Sequence, residues 1–168
     1  MNKRIEINRH TSAKRRLFAV DIENIVGCGK VTEEESRKVA HTVEQRYMLG
    51  SNDHVVVGVS HGKNAFAAKA WYGARLVFQQ GKNGADLALK HVLETEKIEE
   101  RYDEVYVFSG DGIFAESVSM LKSKGIFVEV ISEASRVSKK LMHSAQVINL
   151  FSDKAPDMPA VTSLPLAA

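Results

Sequence analysis

Four acidic residues stand where apolar runs end or helical patterns begin. Asp21 follows Leu17-Phe18-Ala19-Val20, in the run Asp21-Ile22-Glu23-Asn24. Asp86 opens an amphipathic stretch in Lys82-Asn83-Gly84-Ala85-Asp86-Leu87. Asp111 closes another apolar run in Phe108-Ser109-Gly110-Asp111-Gly112, and Glu116 lies one turn into the helix expected after it. In an open α/β sheet the loops at the carboxyl ends of the strands form the ligand crevice. Carboxylates gathered there repel one another unless a cation lies between them. The chemistry this predicts is a hard metal ion on oxygen ligands, and with it phosphate chemistry.

The elements that must position these acids alternate along the chain. Short apolar runs at 17–22, 55–59, 75–78, 104–108 and 126–131 have the length of strands buried on both faces. Helical stripes separate them. Thr32 and Glu35 form a capping box before Val39, Ala40, Val43 and Tyr47. Phe66, Ala67, Ala70 and Trp71 mark a second helix. Ala85, Ala88, Leu89, Val92 and Leu93 mark a third, and Phe114, Val118 and Leu121 a fourth that Gly125 stops. A short helix at 138–142 and a strand at 146–150 close the pattern. Right-handed crossovers then dictate a parallel sheet with helices on both faces, in the order 3-2-1-4-5 with strand 6 at the edge. The order reverses between strands 1 and 4, which end in Asp21 and Asp111. Asp86 starts the helix leading into strand 4, on the same sheet edge.

The chain has 168 residues and 44% hydrophobic content, enough for one domain with its own core. Its single cysteine, Cys28, excludes an internal disulfide and a cysteine-based zinc cage. No signal peptide or long apolar span is visible, so a cytoplasmic protein without a membrane segment is expected. Net charge is only +2, which does not mark a nucleic-acid binder by bulk charge. Residues 1–15 nevertheless form a basic arm, with Lys3, Arg4, Arg9, Lys14 and Arg15 against Glu6, and Arg16 continues it. Such an arm can follow a phosphate backbone, though a solvated terminus is the plainer account, because no aromatic residue is present to stack on bases. All three prolines lie within residues 152–168, which read as a tail without periodicity.

Each candidate has an ordinary alternative. An acid after a buried run is costly unless it coordinates something or caps backbone amides. Asp111 lies between glycines that permit close ligand approach, but it also suits a helix N-cap. Asp86 alone would merely complement a helix dipole, and gains weight as the third member of the set. Asn24 either meets a phosphate or a metal-bound water, or shapes a turn. Glu23, two residues from Asp21, shares its face if the strand continues, and otherwise is a solvated loop acid. Lys63 and Lys82 lie on the active edge and either hold phosphates or face solvent. His61 is a loop histidine on that edge. The run Gly27-Cys28-Gly29-Lys30 lacks the spacing of a phosphate loop.

The combination of Asp-x-x-Asn after strand 1, Gly-x-Asp-x-x-Leu opening the third helix and Ser-Gly-Asp-Gly-x-Phe after strand 4 resembles the NYN domains of the PIN-like nuclease superfamily. The resemblance spans roughly residues 16–151 and implies a three-layer α/β/α, Rossmann-like fold. It also implies a metal-dependent ribonuclease using Mg²⁺ or Mn²⁺, with RNA as partner. Asp21, Asn24, Asp86 and Asp111 match the family's active-site positions, with Asp21, Asp86 and Asp111 as metal ligands. Ser109 matches the residue leading into the last acid. One departure stands out: the family's further acid after Asp-Gly is replaced by Ile113. Glu116 is the candidate substitute ligand. A homo-oligomer is compatible with the sequence.

Two rivals follow. A depleted acid set suits an RNA-binding or assembly module without catalysis. A phosphatase of the haloacid dehalogenase type would want Asp-x-Asp after strand 1 and a later acid, where this chain has Glu23 and Ala115.

Overall fold

The computed structural model describes residues 14–71 and 73–151. The basic arm before Lys14 and the tail from Ser152 lie outside the described residues. Six strands form one parallel sheet: β1 (Arg16–Asp21), β2 (Asp53–Val59), β3 (Arg75–Phe78), β4 (Glu104–Phe108), β5 (Phe127–Glu133) and β6 (Val147–Phe151). Their spatial order is β3-β2-β1-β4-β5-β6, the order expected from right-handed crossovers.

Helices α1 (Ile22–Val26), α2 (Glu33–Tyr47) and α3 (Ala65–Ala68) belong to one face. There Phe18, Val20, Val57 and Phe108 pack with Ile22, Val39, Val43 and Trp71. Helices α4 (Gly84–Thr95), α5 (Ile98–Arg101), α6 (Ala115–Ser123) and α7 (Lys139–Ser144) belong to the other. There Leu17, Ala19, Val105 and Val107 meet Leu89, Leu93, Val118, Leu121 and Leu141. Alternate residues of each central strand therefore serve opposite cores, which is why those strands read as continuous apolar runs.

The Thr32–Glu35 capping box is present, with Thr32 Oγ1 accepting from the Glu35 amide and Glu35 Oε2 accepting from the Thr32 amide. Gly125 takes φ 84° after α6, the left-handed conformation that ends a helix.

Several boundaries differ from expectation. Strand 1 ends at Asp21 rather than Ile22, because α1 begins there and buries Ile22 against the α2 layer. The helix expected from Phe66 to Trp71 is one turn, Ala65–Ala68, with Phe66 outside the core and Trp71 buried beyond it. Trp71 is held there by its indole N–H, which donates to Ser36 Oγ at 3.1 Å.

Candidate active site

Asp21, the last residue of β1, is also the N-cap of α1. Its Oδ1 accepts the Asn24 amide at 3.2 Å and its Oδ2 accepts the Ser109 hydroxyl at 3.0 Å. Ser109 follows the neighbouring strand β4 and is fully buried. Its Oγ also accepts the Asp111 amide at 3.2 Å, so one hydroxyl joins the two strand-end loops. Asn24 adds a second tie, its Oδ1 accepting the Gly110 amide at 3.0 Å. The reversal of strand order thus brings Asp21, Asn24, Ser109 and Asp111 together.

Asp86 arrives from the first turn of α4. That turn is pressed onto the sheet edge: a Cβ on Gly84 would lie 1.8 Å from the Gln79 carbonyl oxygen. Gly58 likewise lets α4 settle on β2, since a Cβ there would meet Leu89 at 2.7 Å. The close seating carries the Asp86 carboxyl to that of Asp21, near enough for each to shift the other's titration. Asp21 is 3% exposed and Asp86 9%. One Asp86 oxygen, Oδ1, is buried without a hydrogen-bond partner.

Burial pushes the Asp21 carboxyl well above the usual range, and the contact with Asp86 pushes it further. Burial raises Asp86 too. The contact with Asp21 opposes that rise, while the charges of Asp111 and Glu23 reinforce it.

Asp111 is partly exposed and caps a 3-10 turn over Gly112–Phe114, its Oδ1 accepting the Ile113 amide at 2.9 Å. Ile113 packs against the core containing Leu89 and Phe114, so the position of the absent acid is an apolar contact. Glu116 is exposed and ion-paired with Lys140 at 3.1 Å and Lys90 at 3.7 Å. No hydrogen bond joins it to the three aspartates among the described residues. Lys63 and Lys82 are exposed on loops at the same sheet edge.

Among the described residues, no group of three acidic, histidine or cysteine side chains could hold an ion as it stands. The buried pair with its orphaned oxygen nevertheless fits a hard cation. Two carboxylates held this close with little solvent repel one another, and Mg²⁺ commonly keeps several waters beside one or two carboxylates.

Residues 19–151 match the NYN domain. The chain belongs to the NYN domain family. That family lies within the PIN-like nuclease superfamily, whose function is of nuclease type. Among solved structures, a protein of unknown function from Vibrio parahaemolyticus is 17% identical with TM-score 0.54, covering 84% of this chain and 94% of its own. A candidate Mar1 ribonuclease from Leishmania major is 14% identical with TM-score 0.43, covering 79% and 72%. The first likeness is one of fold, and the second is too distant to bear on fold or chemistry. No curated protein matches the sequence.

This NYN domain uses residues that sequence reasoning passed over. Glu23, expected to be a solvated acid, accepts the Ser60 amide at 2.8 Å, the Ser60 hydroxyl at 2.6 Å and the Asn64 side-chain amide at 2.7 Å. Asn64 is buried and also accepts the Val31 amide. Glu23 is thereby fixed near enough to Asp86 to act on it. Its position two residues after Asp21 was the available signal. It was missed because α1, not a continuing strand, turns Glu23 toward β2. Arg136 left no signal. Its Nη1 donates to the Asn24 carbonyl at 2.8 Å and its Nε pairs with Glu133 at 2.7 Å. Gly27, at φ 79°, leaves room for that guanidinium.

Proposed function

We propose that this NYN domain is a metal-dependent ribonuclease that hydrolyses RNA phosphodiester bonds at the Asp21–Asp86 pair. The observation that carries this is the buried carboxyl pair at the switch point of the sheet, with one oxygen unpartnered among the described residues. Asp21 and Asp86 would hold Mg²⁺ or Mn²⁺, with Asp111 on the exposed side and Glu116 available only by leaving its lysines. A divalent cation, when bound, supplies positive charge against the phosphoryl oxygens and lowers the pKa of a coordinated water.

The remaining roles belong to the chain itself. Ser109 and the Asn24 amide orient Asp21 through both of its oxygens. Asn24 holds the Gly110 backbone and so the height of Asp111. Lys63 and Lys82 position the phosphate backbone.

The test is cleavage of end-labelled single-stranded RNA with Mn²⁺ or Mg²⁺, comparing the parent with identically purified Asp86→Asn and Asp111→Asn proteins. Cutting by the parent alone, abolished by chelator, supports the proposal. Equal behaviour of all three contradicts it. One observation favours a second reading, an RNA-binding module without catalysis: Ile113 occupies an acid position and packs on the core. RNA binding that is indifferent to chelator, without cleavage, would select it.

A further inference from the structure

The outer edge of the sheet carries a surface that the acid cluster does not use. β3 is the edge strand beside β2. Leu76 and Phe78 alternate onto the face shared with Val57 and Val59, their partners in register. At a central strand that face would be covered. Here it ends at the single turn of α3, and Phe78 stays 51% exposed and Phe66 61%. Beside Phe66 lies an open groove of about 410 Å³, lined also by Lys69, Trp71, Ala74 and Leu76, with Phe78 two residues beyond Leu76 on the same face of β3. The Lys69 ammonium stands 5.0 Å from the Phe66 ring centre. Among the described residues, no acidic side chain lines the groove.

The chain segments that carry the groove run on to residues of the candidate active site. Phe78 pairs with Val59, and the next residue, Ser60, donates to Glu23. The turn before Phe66 carries Lys63 and Asn64, and Asn64 also donates to Glu23. Exposed aromatic rings accompanied by lysines form the kind of surface on which single-stranded nucleic acid stacks its bases while its phosphates meet cations.

We propose that Phe66 and Phe78, with Lys69, form a base-stacking platform that delivers single-stranded RNA to the acid cluster. The proposal rests on the nuclease reading for the strand's destination, but the platform binds RNA whether or not cleavage follows. A second copy of the chain fits this surface less well. A two-fold contact sets the same patch against itself, so Lys69 and Lys63 would face their own images with no acid to answer them.

The experiment is fluorescence anisotropy of a short labelled oligouridylate with excess chelator, so that binding is read without cleavage. Parent, Phe66→Ala, Phe78→Ala and Phe66→Trp proteins are compared beside a duplex of equal length. Both side chains are exposed, so folding is preserved, and circular dichroism checks it. Each alanine variant is expected to lose roughly 5- to 100-fold in affinity for the single strand, with little change for duplex. Phe66→Trp is expected to retain binding. Binding by the parent with these losses, even if no RNA is cut when Mn²⁺ is restored, upholds the platform and overturns only the nuclease reading. Cleavage by the parent with unchanged affinity in both alanine variants overturns the platform and leaves the nuclease. A parent that binds no RNA, or that sediments as a dimer dissociated by Phe66→Ala without any loss of RNA affinity, also overturns it.

Discussion

The carboxyl groups of Asp21 and Asp86 meet, although one ends β1 and the other opens α4, with β2 and β3 between them in the chain. Among the described residues, neither acid has a cationic side chain as its hydrogen-bond partner. Asp21 is served by a hydroxyl and an amide, and Asp86 keeps one oxygen unserved. The pair is therefore under electrostatic tension in the metal-free protein, and several consequences can be measured.

Asp86→Asn should stabilise the metal-free protein. The new amide can donate to Asp21, which keeps its contacts to Ser109 and the Asn24 amide. A carboxyl whose folded pKa is raised contributes stability in full below its unfolded pKa and loses it as pH rises through the folded value. Both acids are raised, Asp21 chiefly by burial and then by Asp86, so the parent loses stability as pH climbs through their folded values. The variant's advantage should thus grow from about pH 4 to pH 8, reaching of order 1 kcal/mol, or roughly 2–4 °C in Tm. Thermal melts with chelator across that range provide the check. A variant less stable than the parent at pH 8 would contradict it.

Asn24→Ala removes the acceptor for the Gly110 amide and leaves the cap on α1 intact. The expected cost is about 1 kcal/mol of stability, because the amide is left short of a partner. Cleavage should fall about tenfold or more, since Asp111 loses its fixed height against Asp21. Urea titration and cleavage rate, measured side by side, separate the two effects.

Much of this arrangement was legible in the sequence. Strand order, the strand 1–4 switch point and the meeting of Asp21 with Asp111 all follow from β-α alternation and crossover handedness. The role of Glu23 did not follow. It depends on a five-residue helix that has no period of its own and is ended by Gly27. The exposed Phe66 was misread for a related reason: its spacing to Trp71 suits a helix face, but the helix stops after one turn and the indole reaches the core alone. Short elements are decided by tertiary contacts, which local patterns do not encode. That Ile113 would lie on the core was likewise invisible, because an exposed isoleucine and a packed one look alike in sequence.

Gly84→Ala tests how α4 delivers Asp86. Its Cβ would overlap the Gln79 carbonyl oxygen, a backbone atom that cannot swing aside as a flexible side chain can. The expected loss is about 1–3 kcal/mol, from displacement of the helix start. Mn²⁺ affinity should fall with it even where the protein remains folded. Unchanged stability would mean that α4 is not seated as closely as described.

The Asp21–Asp86 pair is, as proposed, a cation site. Its most direct test is Mn²⁺ binding without RNA, followed by loss of the free-ion electron paramagnetic resonance signal, in the parent and in Asp86→Asn. The parent is expected to bind saturably at neutral pH, more weakly as pH is lowered and the pair is protonated, and the variant is expected to show no comparable binding. Equal binding by both proteins, or none by the parent, would contradict it.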